Sequence, residues 1–191
     1  MARAVKDKFG KPVINAGNGI RIAGAHKVFM DVAEKLGIPV ITGWDSEDCM
    51  YDTHPLYVGR AGNMGDRPGN FAIQNSDLVL SIGSRLSIRQ VGYNYKTWAR
   101  EAFVIVNDID EEELKKPSIH ADMPVHADAK DLLEQLDLVL DDVLATEADR
   151  LPESLSRPGR KQVFEGGKGL REMNWNQTCA MWTERYPVVL P

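Results

Sequence analysis

A succession of short, almost purely apolar runs, each ending in a glycine or polar residue, most constrains what this chain can fold into. Pro12–Ala16, Ile38–Thr42, Asp77–Ile82 and Phe103–Asn107 are such runs, and Met123–His126 is a weaker fifth. They are too short for buried helices, and they lack the alternation of a strand wetted on one face. Apolar residues on both faces mean a strand covered on both faces, the signature of a parallel sheet. Helical patterns separate most of the runs. In Ala25–Leu36, residues Val28, Phe29, Val32, Ala33 and Leu36 fall on one stripe, and Gly37 closes the helix. Pro68–Gln74, Tyr95–Arg100, Glu111–Lys116 and Lys130–Leu144 complete the alternation. The expected fold is α/β, an open parallel sheet of five or six strands with helices on both faces.

A Rossmann-like sheet of the type that holds NAD or FAD takes its ligands in the crevice outside the carboxyl ends of its strands. Four segments fall there. Gly17-Asn18-Gly19 follows the first strand, with Arg21 and Gly24 before the helix. It reads either as an anion-holding turn or as a plain tight turn, because the third glycine of a dinucleotide fingerprint is out of place. Arg85 and Arg89, in Gly83–Arg89, either reach a diphosphate or pair with local acids or another domain. In Asp108-Ile109-Asp110, Asp108 is the candidate for a ribose hydroxyl and Asp110 the candidate N-cap of the helix that opens at Glu111. Gly59–Arg67 is dense enough in glycine to lie against something close. The surrounding Gly43–Gly69 shows no periodicity, yet Trp44, Tyr51, Leu56 and Tyr57 need a surface to pack on.

The charge balance excludes one class of partner. With 23 basic and 28 acidic residues, the chain has no basic excess with which to hold nucleic acid. No apolar run approaches the ~20 residues that span a bilayer, so no membrane partner is expected. Cys49 and Cys179 are expected as free thiols in a reducing cytoplasm. His26, His54, His120 and His126 have no metal-ligand spacing, with His120 and His126 expected at the surface, and no nucleophile stands beside a base. Two regions are expected: an α/β domain over 1–145, and a linker and connector over 146–191. In the latter, Gly169–Arg185 reads as an amphipathic helix with Trp175, Cys179 and Trp182 on one face.

Several segments together carry a family likeness. Lys11–Ile20 (KPVINAGNGI), His54–Gly59 (HPLYVG), Asn70–Leu80 (NFAIQNSDLVL), Gly83-Ser84-Arg85 and Val106–Asp110 (VNDID) occur in the order found in the middle domain of thiamine-diphosphate-dependent enzymes. The chain resembles the acetolactate synthase type over about residues 11–140, and Trp175–Pro191 resembles the connector to that family's next domain. The resemblance implies a three-domain parent acting on 2-oxo acids by decarboxylation or carboligation, homodimeric or homotetrameric. Its first domain supplies the glutamate that activates the thiazolium, and its third binds Mg2+ and the diphosphate of thiamine diphosphate. The middle domain is then a scaffold, not catalytic alone, that in some members holds FAD or ADP. The residues matching such a site are Gly17, Gly19, Arg85, Arg89 and Asp108. The chain departs from the acetolactate synthase pattern at Asn63–Asp66, where that pattern has Met-His-Gly, and at Ser87-Ile88, where it has two acids. Those departures fit a relative of unassigned substrate better than a housekeeping acetolactate synthase. The alternatives are a stand-alone nucleotide-binding or flavoprotein subunit of similar fold, and an interaction module.

Overall fold

The computed structural model describes residues 10–148. The polar segment 1–9, most of the expected linker and the expected helix Gly169–Arg185 lie outside the described residues. The chain divides into two compact units, Met1–Leu140 and Asp141–Pro191. The sheet belongs to the first unit.

Six strands form that sheet: β1 Pro12–Ala16, β2 Val40–Thr42, β3 Tyr57–Arg60, β4 Leu78–Ile82, β5 Phe103–Asp108 and β6 Met123–His126. All neighbours are parallel, in the order β3-β2-β1-β4-β5-β6. The chain winds outward from β1 to one edge, returns to β4 and winds to the other edge. That reversal makes the β1/β4 boundary a topological switch point, where open α/β sheets keep their ligands.

Burial explains the apolar runs. Every residue of β1, β2 and β4 is buried. A single turn of helix, α1 Gly19–Ile22, follows β1. On one face of the sheet Ile14, Ala16, Val40, Leu78, Leu80, Ile82 and Ile105 join a single core with two longer helices. One is α2, His26–Leu36, which contributes Phe29, Val32 and Ala33; the other is the last helix, α6, Ala129–Ala148, which contributes Leu133, Leu136 and Leu140. Gly37 ends α2 in the left-handed region (φ 63°), its N–H bonding the Ala33 carbonyl, as a helix-stopping glycine does. Lys35 on α2 reaches Asp137 on α6 at 2.6 Å. The remaining helices are α3 Arg67–Asn75, which packs on β3, α4 Ile88–Val91 and α5 Glu111–Lys115.

Three expectations need correction. The stretch Gly43–Gly69, read as irregular, contains a 3-10 segment, Trp44–Cys49, and the edge strand β3. β3 escaped notice because it is half-buried, holds Gly59 at φ 135°, and pairs with β2 through a register shift. Tyr95–Arg100 is a single 3-10 turn, Tyr95–Thr97, rather than a longer helix. The chain leaves it at Trp98 in extended backbone, and Ala99 has φ 47°. The last helix does not stop at Leu144 but runs through to Ala148, so the first residues of the expected linker are helical.

Candidate functional site

The strands end nearly level. Ala16 pairs with Thr42 and with Ile82, and Ile82 pairs with Asn107. The residues that follow three of these ends, Gly17, Gly43 and Gly83, therefore emerge side by side at the carboxyl edge. The ladder continues into the turns: Gly17 N–H bonds the Ile82 carbonyl at 2.9 Å, and Gly83 N–H bonds the Asn107 carbonyl at 3.0 Å. Above this edge is a cavity of about 790 Å³, walled by the residues that follow all six strands. Small-molecule sites in proteins span roughly 300–1,000 Å³.

The two leading turns touch each other. A Cβ at Gly17 would fall 2.2 Å from Ser84 Cα and 2.3 Å from the Gly83 oxygen, and one at Gly19 would fall 2.8 Å from Gly83 Cα. The N–H groups of Gly17, Gly19, Ile20 and Arg21 are all bonded within the protein. Both glycines line the cavity, but what approaches their backbone is the β4 turn. Arg21 turns away to Asp48, at 3.0 Å. The glycine-rich loop behaves in the same way. A Cβ at Gly62 would meet the Arg89 oxygen at 2.4 Å, and one at Gly69 the Arg60 oxygen at 2.3 Å.

A buried polar network underlies the site, and sequence reading missed it. Asn15, fully buried on β1, donates to Ser81 Oγ at 3.0 Å and Ser84 Oγ at 3.1 Å, and accepts from Gln90 Nε2 at 2.7 Å. Ser46 Oγ donates to the Ala16 carbonyl at 2.7 Å and accepts from Gly43 N–H at 2.9 Å. A satisfied buried network of this kind fixes geometry; here it locks α4, and with it Arg89, to the central strand. The only signal in the sequence was a polar residue inside each of the runs PVINA and LVLSI.

Three arginines line the cavity, and two of them are engaged. Arg60 bonds Asp66 and Glu47, which raise its pKa, and the bond from Arg60 in turn lowers that of Asp66. Arg85 meets Glu113 at 2.7 Å and is raised by that bond. Glu113 is held below the usual carboxylate range by Lys116 first and Arg85 second, against an opposing effect of burial. Lys116 also donates to the Arg85 carbonyl. This clamp holds an unusual turn, since Arg85 (φ 57°) and the fully buried Leu86 (φ 42°) both occupy the left-handed region. Such strain collects at functional sites. Arg89 makes no ion pair among the described residues and is the cavity's free cation.

On the β5 side, Asp108 is almost fully buried, and its Oδ1 accepts from Asp110 N–H at 3.1 Å. Asp110 caps α5, accepting from Glu112 N–H at 2.9 Å. Asn107 donates to the carbonyls of Val125 (3.2 Å) and Ala127 (2.8 Å), while its Oδ1 is buried with no partner among the described residues. Ile22, Trp44, Met64 and Ile109 give the rim an apolar character and are themselves exposed. Of the five residues singled out from sequence, all line this one cavity. His120 and His126 lie at the surface, and Cys49 is a buried free thiol. No described helix is long and apolar enough to cross a membrane.

Comparison with known proteins agrees with this architecture. The family described as thiamine pyrophosphate enzyme, central domain, matches residues 5–136. Among relatives, the probable acetolactate synthase large subunit of Methanococcus aeolicus is 36% identical over 134 residues, which is 68% of this chain and 22% of that protein. That of Methanocaldococcus jannaschii is 38% identical over 126 residues, 66% of this chain and 21% of that protein. The sulfoacetaldehyde acetyltransferase of Roseovarius nubinhibens is 34% identical over 178 residues, 91% of this chain and 29% of that protein. The chain thus spans between a fifth and a third of the length of these relatives. The chain belongs to the family of thiamine pyrophosphate enzyme central domains.

Proposed function

We propose that this domain, over 1–145 with 146–191 as its connector, is the scaffold of a thiamine-diphosphate-dependent enzyme acting on 2-oxo acids. Its switch-point cavity holds an adenine nucleotide, FAD or ADP. The enzyme's reaction belongs to thiamine diphosphate, an electron sink for bonds beside a carbonyl, carried with Mg2+ by partner domains on either side. The parent is a cytoplasmic homodimer or homotetramer. What this chain's residues do is bind and orient.

The observation that carries the nucleotide reading is the convergence, in one cavity at the β1/β4 switch point, of an arginine without an ion pair among the described residues and the Asp108 carboxylate. Arg89 would take a phosphate, and Asp108 would accept from a ribose hydroxyl. Gly17 and Gly19 contribute the floor by letting the two turns meet, and Arg85 shapes the wall from its clamp with Glu113. The N–H groups of Gly17, Gly19, Ile20 and Arg21 are already bonded, so phosphate recognition falls to Arg89. Calorimetry of the full chain with ADP and FAD tests this. Binding is expected, and Arg89→Met should weaken it by about tenfold or more, the worth of one charge-assisted bond. No binding of either nucleotide, or unchanged affinity in the variant, defeats the reading.

A second reading concerns the substrate. The likeness to the sulfoacetaldehyde acetyltransferase runs over 178 residues, whereas the likeness to the two archaeal acetolactate synthase subunits runs over 126 and 134. That reach, with the departures at Asn63–Asp66 and Ser87-Ile88, favours a sulfoacetaldehyde-type acetyl transfer over acetolactate synthesis. Turnover of sulfoacetaldehyde, with an acetyl acceptor supplied, and of pyruvate by the assembled enzyme, with thiamine diphosphate and Mg2+, separates the two. Acetolactate as the faster product would count against the transfer reading.

A further inference from the structure

We infer that Asn70, on α3 and outside the cavity wall, is a positioning residue for Arg89: it holds the glycine loop that braces the backbone of that arginine. The inference deepens the nucleotide reading above and rests on it.

Arg89 sits on α4, which is four residues long, and a helix this short has no stability of its own. Bonds from elsewhere set its place. One tie runs from Gln90 to Asn15 on β1. The other comes from the glycine loop. Because α4 stops at Gly92 (φ 78°), the Arg89 carbonyl is one of those a helix end leaves unpaired, and Asn63 N–H takes it at 2.8 Å. Gly62 packs directly beside this bond: a Cβ there would fall 2.4 Å from the Arg89 oxygen and 3.1 Å from Gln90 Cα. With backbone against backbone, a shift of the loop is a shift of Arg89.

Asn70 fixes that loop. Its Oδ1 accepts from Gly62 N–H at 2.8 Å, and its Nδ2 donates to the Gly62 carbonyl at 3.1 Å. Turning the amide over would break both bonds, so its orientation is set. Both polar groups of one backbone residue are thereby tied to one side chain. Asn70 is not among the residues that wall the cavity, so it reaches a ligand only through Gly62, Asn63 and Arg89. Its effect on binding is therefore bounded by that of Arg89, about tenfold.

The test is a double-mutant cycle on the full chain, with ADP as the probe and calorimetry as the readout, in the wild type, Asn70→Ala, Arg89→Met and the double variant. Asn70→Ala should weaken ADP binding by about fivefold when Arg89 is present and by less than about twofold when it is methionine. A residue that only stabilises the fold would leave affinity unchanged, or lower it equally in both backgrounds, and either result overturns the inference. A second measurement needs no variant. Because coupling is reciprocal, ADP should tighten the brace and slow hydrogen exchange at the wild-type Gly62 and Asn63 amides by about fivefold. Unchanged exchange at both overturns the inference, even where Asn70→Ala folds poorly. Those outcomes leave nucleotide binding itself intact. Failure of both ADP and FAD to bind the wild type overturns the nucleotide reading and this inference together.

Discussion

Replacing Gly17 by alanine tests whether this glycine serves the fold or a ligand. The new Cβ would lie 2.2 Å from Ser84 Cα, 2.3 Å from the Gly83 oxygen and 2.4 Å from the Gly83 carbon. All three are backbone atoms, so no side chain can swing aside. Restoring ordinary contact requires the β1 and β4 turns to part by roughly 1 Å, beyond what a close-packed interior absorbs. That movement strains the bonds Gly17 N–H to Ile82 and Gly19 N–H to Gly83, at 2.9 and 2.8 Å. Overpacking costs about 1–3 kcal/mol and each backbone bond about 1 kcal/mol, so a loss of about 3–5 kcal/mol is expected. In urea this lowers the unfolding midpoint by roughly 2 M. Gly37→Ala is the control: its φ is 63°, but a Cβ there meets nothing within 4 Å. Only the left-handed backbone penalty applies to it, about 1–2 kcal/mol. Circular dichroism on both variants decides the matter. A Gly17→Ala protein no less stable than Gly37→Ala would refute the packing argument.

Individual residues give three further outcomes. Asp110→Ala removes the cap of α5 and should destabilise the domain by about 1 kcal/mol in the same urea assay; no change would mean that the cap bond contributes nothing. Burial, with Asp48 adding to it, pushes the Cys49 thiol up to about 11 from an ordinary 9.0. Its thiolate fraction at pH 8 is then about a hundredfold below that of an ordinary thiol, so iodoacetamide should spare it until urea unfolds the chain. Peptide mass mapping at Cys49 reads this, and rapid native labelling would contradict it. Glu113 has a carboxyl depressed below its ordinary 4.5 by Lys116 and then Arg85. The stabilisation from a depressed carboxyl is complete above 4.5 and is lost as pH falls through the lower folded value. Glu113→Gln should therefore flatten the loss of stability below pH ~4.5, and an unchanged acid profile would remove the clamp's role.

The parts of the fold that were legible from sequence are those that short-range physics decides. A parallel strand covered on both faces must be apolar along its length, so β1, β4 and β5 show themselves as runs. Gly37 and Asp110 show themselves by the backbone needs of helix ends. β3 does not, because an edge strand with a positive-φ glycine and half-exposed side chains has no pattern to present. α4 is a four-residue turn, too short for periodicity, and its place is set by Gln90 reaching Asn15, 75 positions away in sequence. The candidate site was legible as a set of turns at strand ends, because an alternating parallel sheet brings them to one edge. The division of labour inside it was not. Arg85 and Arg89 are four residues apart and look equivalent, yet Glu113 engages one and leaves the other free. Gly17 and Gly19 look like a ligand's approach path, and what approaches is the Gly83–Ser84 backbone.

A crystal structure of the full chain soaked with ADP would put the switch-point cavity to its most direct trial. The nucleotide should appear at the carboxyl edge of the sheet, with a phosphate on Arg89 and its ribose on Asp108. Nucleotide bound anywhere else on the domain, or an empty carboxyl edge at saturating ADP, would contradict it.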